Sequence, residues 1–123
     1  MDRKILIVED EGVVALEMQE FLEGQGYIVP STVTSADKVM PEVMTHQPHL
    51  IIMDINLKSF IDGIDTAERV SLIKKIPIIF VTAYPSEKIK ERALRIEESR
   101  YLVKPVKKEE LLRQVKISLS EKN

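Results

Sequence analysis

Two short apolar runs end in acid. Ile5-Leu6-Ile7-Val8 leads into Glu9-Asp10-Glu11, and Leu50-Ile51-Ile52-Met53 leads into Asp54. Two further runs, Ile78 to Val81 and Tyr101 to Val103, end at Thr82 and at Lys104-Pro105. Taken singly, Asp54 is a polar residue closing a strand, Thr82 a strand residue and Lys104 a surface lysine. Gathered at one edge they become a reactive set. Three neighbouring carboxylates repel one another, so some protonate or a cation neutralises them. Hard oxygen ligands with room for water suit Mg²⁺. A carboxylate can also act as a nucleophile and carry an aspartyl phosphate. A cation and the Lys104 ammonium would then neutralise charge on the transferring group, and Thr82 would add a hydroxyl.

That chemistry requires elements that bring the run ends together. Continuous apolar runs bounded by turn signals read as strands buried on both faces, as in parallel sheets covered by helices. Helical spacing predicts helices over 12–26 (Val14, Met18, Phe21 and Leu22 inward), about 36–46, about 64–74 (Ala67, Val70 and Ile73 inward), 86–96 and 108–120. Gly24 and Gly26 are plausible stops for the first helix, and Ser35 and Ser86 candidate caps. Pro41 conflicts with a helix interior: either the second helix is bent there or its regular part starts near Pro41. Tyr27-Ile28-Val29 supplies one more extended segment, the second of five strands alternating with five helices. Such alternation gives a doubly wound α/β fold with a parallel sheet. Five strands ending on a helix favour the flavodoxin-like order 2-1-3-4-5. In that order Glu9 and Asp10 lie beside Asp54 at the switch point, where open α/β sheets bind their ligands.

Composition narrows the classes. With 123 residues, 44% of them hydrophobic and 31% charged, one soluble domain fills the chain, 1–123. The net charge of −2 argues against a nucleic-acid binder. The absence of Cys removes disulfides, thiolate metal sites and a Cys nucleophile. No run approaches membrane-spanning length, and the apolar residues after Lys4 are too few for a signal peptide, so a cytoplasmic protein is expected.

Five motifs together carry a resemblance: Ile5 to Glu11, Ile51 to Asp54, Asp62-Gly63, Phe80 to Ala83 and Tyr101 to Pro105. From about Lys4 to Leu119 the chain resembles the receiver domain of two-component response regulators. The resemblance implies that Asp54 accepts a phosphoryl group from a phosphohistidine on a sensor histidine kinase or phosphotransfer protein. It implies that Asp10 and Asp54 bind Mg²⁺ directly, with Glu9 acting through water and the backbone carbonyl of Asn56 completing the set. Thr82 and Lys104 would contact phosphoryl oxygens, and Lys104-Pro105 would be cis. Thr82 and Tyr101 would form the switch, signalling to a face made by the fourth helix, fifth strand and fifth helix, where a downstream protein or a second copy would dock. Tyr101 also reads as a core aromatic with its hydroxyl at the surface. Lys58 stands where the family usually has Pro, and the loop from Asp54 to Gly63 is one residue longer than the common pattern, resembling a subgroup with a longer acceptor loop. Val106 and Arg100 also replace a common aromatic and a common small residue.

Other readings fit less well. A phosphorylation-independent pseudo-receiver would not need the intact acidic set, Thr82 and Lys104. A flavin or nucleotide binder would need a glycine-rich phosphate loop, which the four glycines do not form. A related phosphatase would want a carboxylate where Asn56 stands. His46 and His49 read as surface and strand-edge residues rather than metal ligands. Lys88, Arg92 and Arg95 share a helix face, with Arg100, Lys107 and Lys108 nearby. This is read as a solvated face, or else as a dock for an acidic partner or second copy. No output domain is evident, so the chain is either a single-domain regulator or one domain of a longer protein.

Overall fold

The computed structural model describes residues 2–57 and 62–121. Lys58 and the rest of the middle of the acceptor loop lie outside them. Five parallel strands form one sheet: β1 (Ile5–Val8), β2 (Thr32–Val33), β3 (Leu50–Asp54), β4 (Ile78–Thr82) and β5 (Ser99–Val103). Their order, β2-β1-β3-β4-β5, is the expected one. The helices are α1 (Gly12–Gly24), α2 (Val39–His46), α3 (Gly63–Ser71), α4 (Glu87–Leu94) and α5 (Lys108–Ser118). No described helix is long and apolar enough to cross a membrane.

Alternating side chains of the central strands feed two cores. Leu6, Val8, Ile51, Met53, Ile78 and Phe80 pack under α2, α3 and α4. Ile5, Ile7, Leu50, Ile52, Ile79 and Val81 pack under α1 and α5. With both faces covered, the strands are apolar throughout, which is why runs rather than alternation marked them.

Three local outcomes refine the sequence reading. The second strand is Thr32–Val33, not Tyr27 to Val29, and Ile28 pairs with Lys4 only as an isolated bridge. Pro30, which has no N–H to give, separates the two pieces of this edge. Pro41 falls in the first turn of α2, after a 3₁₀ turn over Ala36–Lys38, where its missing N–H has no helical acceptor to lose. Ser35 makes no capping bond through its side chain. The third helix stops at Ser71, leaving Ile73 59% exposed while Ile76 turns inward in its place.

The glycine stop of α1 is built as expected. Tyr27 N–H bonds the Leu22 carbonyl and Gly26 N–H the Glu23 carbonyl, with Gly26 at φ 97°. That turn delivers the chain to the sheet edge.

Candidate functional site

Glu9, Asp54 and Thr82 sit at the ends of strands fixed by burial on both faces, and Lys104 follows the partly buried β5. The register pairs Val8 with Met53 and Asp54 with Val81, so Glu9, Asp54 and Thr82 finish neighbouring strands at nearly one level. Lys104 follows β5 directly, its N–H donating to the Thr82 carbonyl at 2.8 Å. The Lys104-Pro105 bond is cis.

The structure brings the predicted carboxylates together. One oxygen each from Glu9, Asp10 and Asp54 lies within 4.8 Å of the others. Glu9 is 2% and Asp54 4% exposed, whereas Asp10 is partly open to solvent. Lys104 Nζ bonds Glu9 Oε1 at 2.7 Å and stands 3.5 Å from Asp54 Oδ2. Burial pushes the Glu9 carboxyl up to about 7, against the opposing pull of Lys104 and the Glu11 N–H. Burial also works against the Lys104 ammonium, but its bond to Glu9 and the field of Asp54 hold its pKa above the ordinary lysine value.

Backbone and hydroxyl groups complete the arrangement. Asn56 N–H donates to Asp54 Oδ1 at 3.0 Å. The Thr82 hydroxyl donates to Asn56 Oδ1 at 2.5 Å and accepts from Tyr84 N–H at 3.0 Å. Tyr101 is half-buried against the α2–α4 core, its hydroxyl accepting from Ser86 N–H at 3.4 Å, with Lys90 Nζ 5.9 Å from the ring centroid. Behind Asp54, Gly63 N–H donates to the Ile55 carbonyl at 3.1 Å, and a Cβ at Gly63 would stand 2.2 Å from the Asp54 carbonyl oxygen. Position 63 therefore admits no side chain without moving the backbone that carries Asp54.

The acidic set fits a hard divalent cation. Its donors are all oxygens, two of its carboxylates are buried, and those two share one ammonium. Burial that lifts Glu9 to about 7, with a smaller push from Asp54, penalises the charged carboxylate, and a bound cation would offset that penalty.

Two relations escaped the sequence reading. The Asn56 side chain engages Thr82, a contact that neither its carbonyl's expected place in the metal set nor its lack of a carboxylate announces. Arg92 does not belong to a solvated basic face: it pairs with Asp62, Asp65 and Glu68. The i, i+3 spacing of those three acids on one helix face was the available signal. Arg100 likewise donates to Gln114 Oε1 at 3.0 Å. His46 pairs with Glu42, and His49 Nδ1 accepts from Lys4 N–H, so neither histidine joins the acidic set.

Comparison with known proteins agrees with this geometry. A family model described as response regulator receiver domain matches residues 5–116. The transcriptional regulatory protein PdtaR of Mycobacterium tuberculosis is 30% identical over 118 residues, covering 96% of this chain and 57% of PdtaR. The phyllosphere-induced regulator PhyR of Methylorubrum extorquens is 36% identical over 88 residues, covering 69% of this chain and 32% of PhyR. The chain thus spans about half the length, or less, of these curated relatives. A CheY-like response regulator receiver domain from Methanospirillum hungatei superposes with a TM-score of 0.90 at 26% identity, covering 98% of this chain and 95% of its own. The chain belongs to the receiver domains of two-component response regulators, which are signalling modules rather than conventional enzymes.

Proposed function

We propose that the whole chain, 1–123, is one receiver domain in which Asp54 takes a phosphoryl group from a phosphohistidine on a sensor kinase or phosphotransfer protein. The observation that carries this reading is the buried Asp54 carboxylate with Lys104 Nζ 3.5 Å from Oδ2, beside Glu9 and Asp10. A carboxylate oxygen attacks phosphorus, the bond from phosphorus to the donor nitrogen breaks, and the histidine leaves with the electron pair. Asn56 N–H on Oδ1 fixes the carboxylate's rotation and presents Oδ2, the oxygen beside Lys104. Mg²⁺, held by Asp10, Asp54, Glu9 through water and the Asn56 carbonyl, would neutralise charge on the transferring group. Lys104 would turn its ammonium from Glu9 to a phosphoryl oxygen. Thr82 would leave Asn56 and donate to another, with Tyr101 turning inward behind it.

The charge event at Asp54 would then reach the α4, β5 and α5 face, which would bind a downstream protein or a second copy. The net charge of −2 supports a protein partner over direct nucleic-acid contact. A cytoplasmic setting agrees with the described helices, none of which could cross a membrane.

The test is intact mass after incubation with acetyl phosphate and Mg²⁺. One phosphoryl adduct is expected, lost in Asp54→Asn and with a chelator. No adduct, together with no Mg²⁺ binding, would leave a phosphorylation-independent binding module.

A further inference from the structure

One arginine of α4 is engaged far from the chemistry. Arg92 Nη2 pairs with Asp65 Oδ1 and, at 2.9 Å, with Glu68 Oε1, while Nη1 lies 3.7 Å from Asp62 Oδ2. Asp62 in turn caps α3, its Oδ1 accepting from Asp65 N–H at 2.8 Å. The next residue is Gly63, whose Cα abuts the Asp54 carbonyl. Arg92 is therefore linked through Asp62 and Gly63 to the backbone of the acceptor. In the other direction, α4 begins just past Thr82, and Tyr84 and Ser86 on the way bond Thr82 Oγ1 and the Tyr101 hydroxyl. Beyond the β3–β4 ladder, side chains join the segments carrying Asp54 and Thr82 at the site, by the bond from Thr82 to Asn56, and at a distance, by Arg92.

We infer that Arg92 is a positioning residue that clasps α4 to the return of the acceptor loop and holds Thr82 in its resting bond to Asn56. This rests on the reading of Asp54 as acceptor and Thr82 as switch. Three carboxylates share the one guanidinium. Arg92 ties these acids of α3 to α4, so its loss removes that attraction across the two helices and loosens α4 from α3. Thr82 then leaves Asn56 at lower cost, and the acceptor is phosphorylated more readily. The Arg92 side chain is 33% exposed, so the coupling is modest and screened by salt.

The experiment compares rates of Asp54 phosphorylation from acetyl phosphate, read by intact mass, in the wild type, Arg92→Gln, Arg92→Lys, Thr82→Ala and the Thr82→Ala/Arg92→Gln pair. At low salt Arg92→Gln should react about fivefold faster, the lower end of ordinary site-to-site coupling. The gain should shrink at high salt, be smaller in Arg92→Lys, which keeps the charge, and vanish in the Thr82→Ala background. A loss of packing alone would not depend on Thr82. An unchanged or slower rate in Arg92→Gln, or an equal gain without Thr82, overturns the inference while leaving the acceptor reading intact. A wild type that forms no adduct removes both. If Arg92→Gln does not fold, Glu68→Gln weakens the clasp more gently: a smaller gain of the same salt dependence supports the inference, and no gain overturns it.

Discussion

The molecule contains the same charge set twice, in opposite surroundings. At the strand ends Glu9, Asp10 and Asp54 cluster, with Glu9 and Asp54 buried and both beside the Lys104 ammonium. Between α3 and α4, Asp62, Asp65 and Glu68 surround the Arg92 guanidinium, half in water. Solvent screens the surplus charge of the second set, so it acts as a geometric tie of small energy. The first set is denied that screening. Its surplus falls on Glu9, held near 7 by burial, and the site is left in want of further positive charge or a proton. One inventory thus gives a clasp where water reaches it and a reactive pocket where water does not.

The largest test of this contrast is Lys104→Met. If Lys104 stabilises the group transferred to Asp54, its loss should slow adduct formation on the order of 100-fold, the usual cost of removing a preorganised electrostatic partner. A single-turnover mass assay would measure it, and a rate within twofold of wild type would break the contrast. Gly63→Ala comes next. A methyl placed 2.2 Å from the Asp54 carbonyl must displace backbone, so a loss of about 3 kcal/mol is expected in urea unfolding. Magnesium should raise thermal stability only through the buried set. At a concentration 100 times its dissociation constant it adds about 2.7 kcal/mol. Asp10→Asn should abolish that gain and Glu68→Gln should leave it unchanged. The smallest effects carry opposite signs. Without Mg²⁺, Asp54→Asn removes surplus buried charge and should stabilise the fold by about 1 kcal/mol. Glu68→Gln should destabilise it by about 0.5 kcal/mol, an effect that fades in high salt. Equal signs in chemical denaturation would mean that burial does not separate the two sets.

How far the sequence revealed this depended on whether the signal was local. The apolar runs of β1, β3 and β4 announced themselves, because burial on both faces leaves no polar alternation to dilute them, and the partly buried β5 still carries its run Tyr101 to Val103. The residues that end them were legible for the same reason, and the strand order placed Glu9 and Asp10 beside Asp54. The edge was harder: Tyr27-Ile28-Val29 has more strand character than Thr32–Val33, but the register of β1 and the position of Pro30 put the pairing at the latter. Ile73 continued the helical pattern of α3, yet that helix ends two residues earlier. Arg92 was misread because its partners lie on another helix, and a helix face is classed from its own residues alone. The bond from Thr82 to Asn56 joins the end of β4 to the loop after β3, whose conformation no period encodes.

Glu9 and Lys104 stand 95 positions apart and meet across strands that are not neighbours in the sheet. Their contact cannot form until β3 and β4 have filled the space between β1 and β5. Contacts of such long range arrive late in folding, after the loops they close have been ordered. During synthesis the lysine also emerges well after the acids it neutralises. A nascent or incompletely assembled chain can therefore present the acidic pocket but not the cation that completes it. The bond between Glu9 and Lys104 reports that β5 has docked, and the chemistry proposed at Asp54 would wait on that docking.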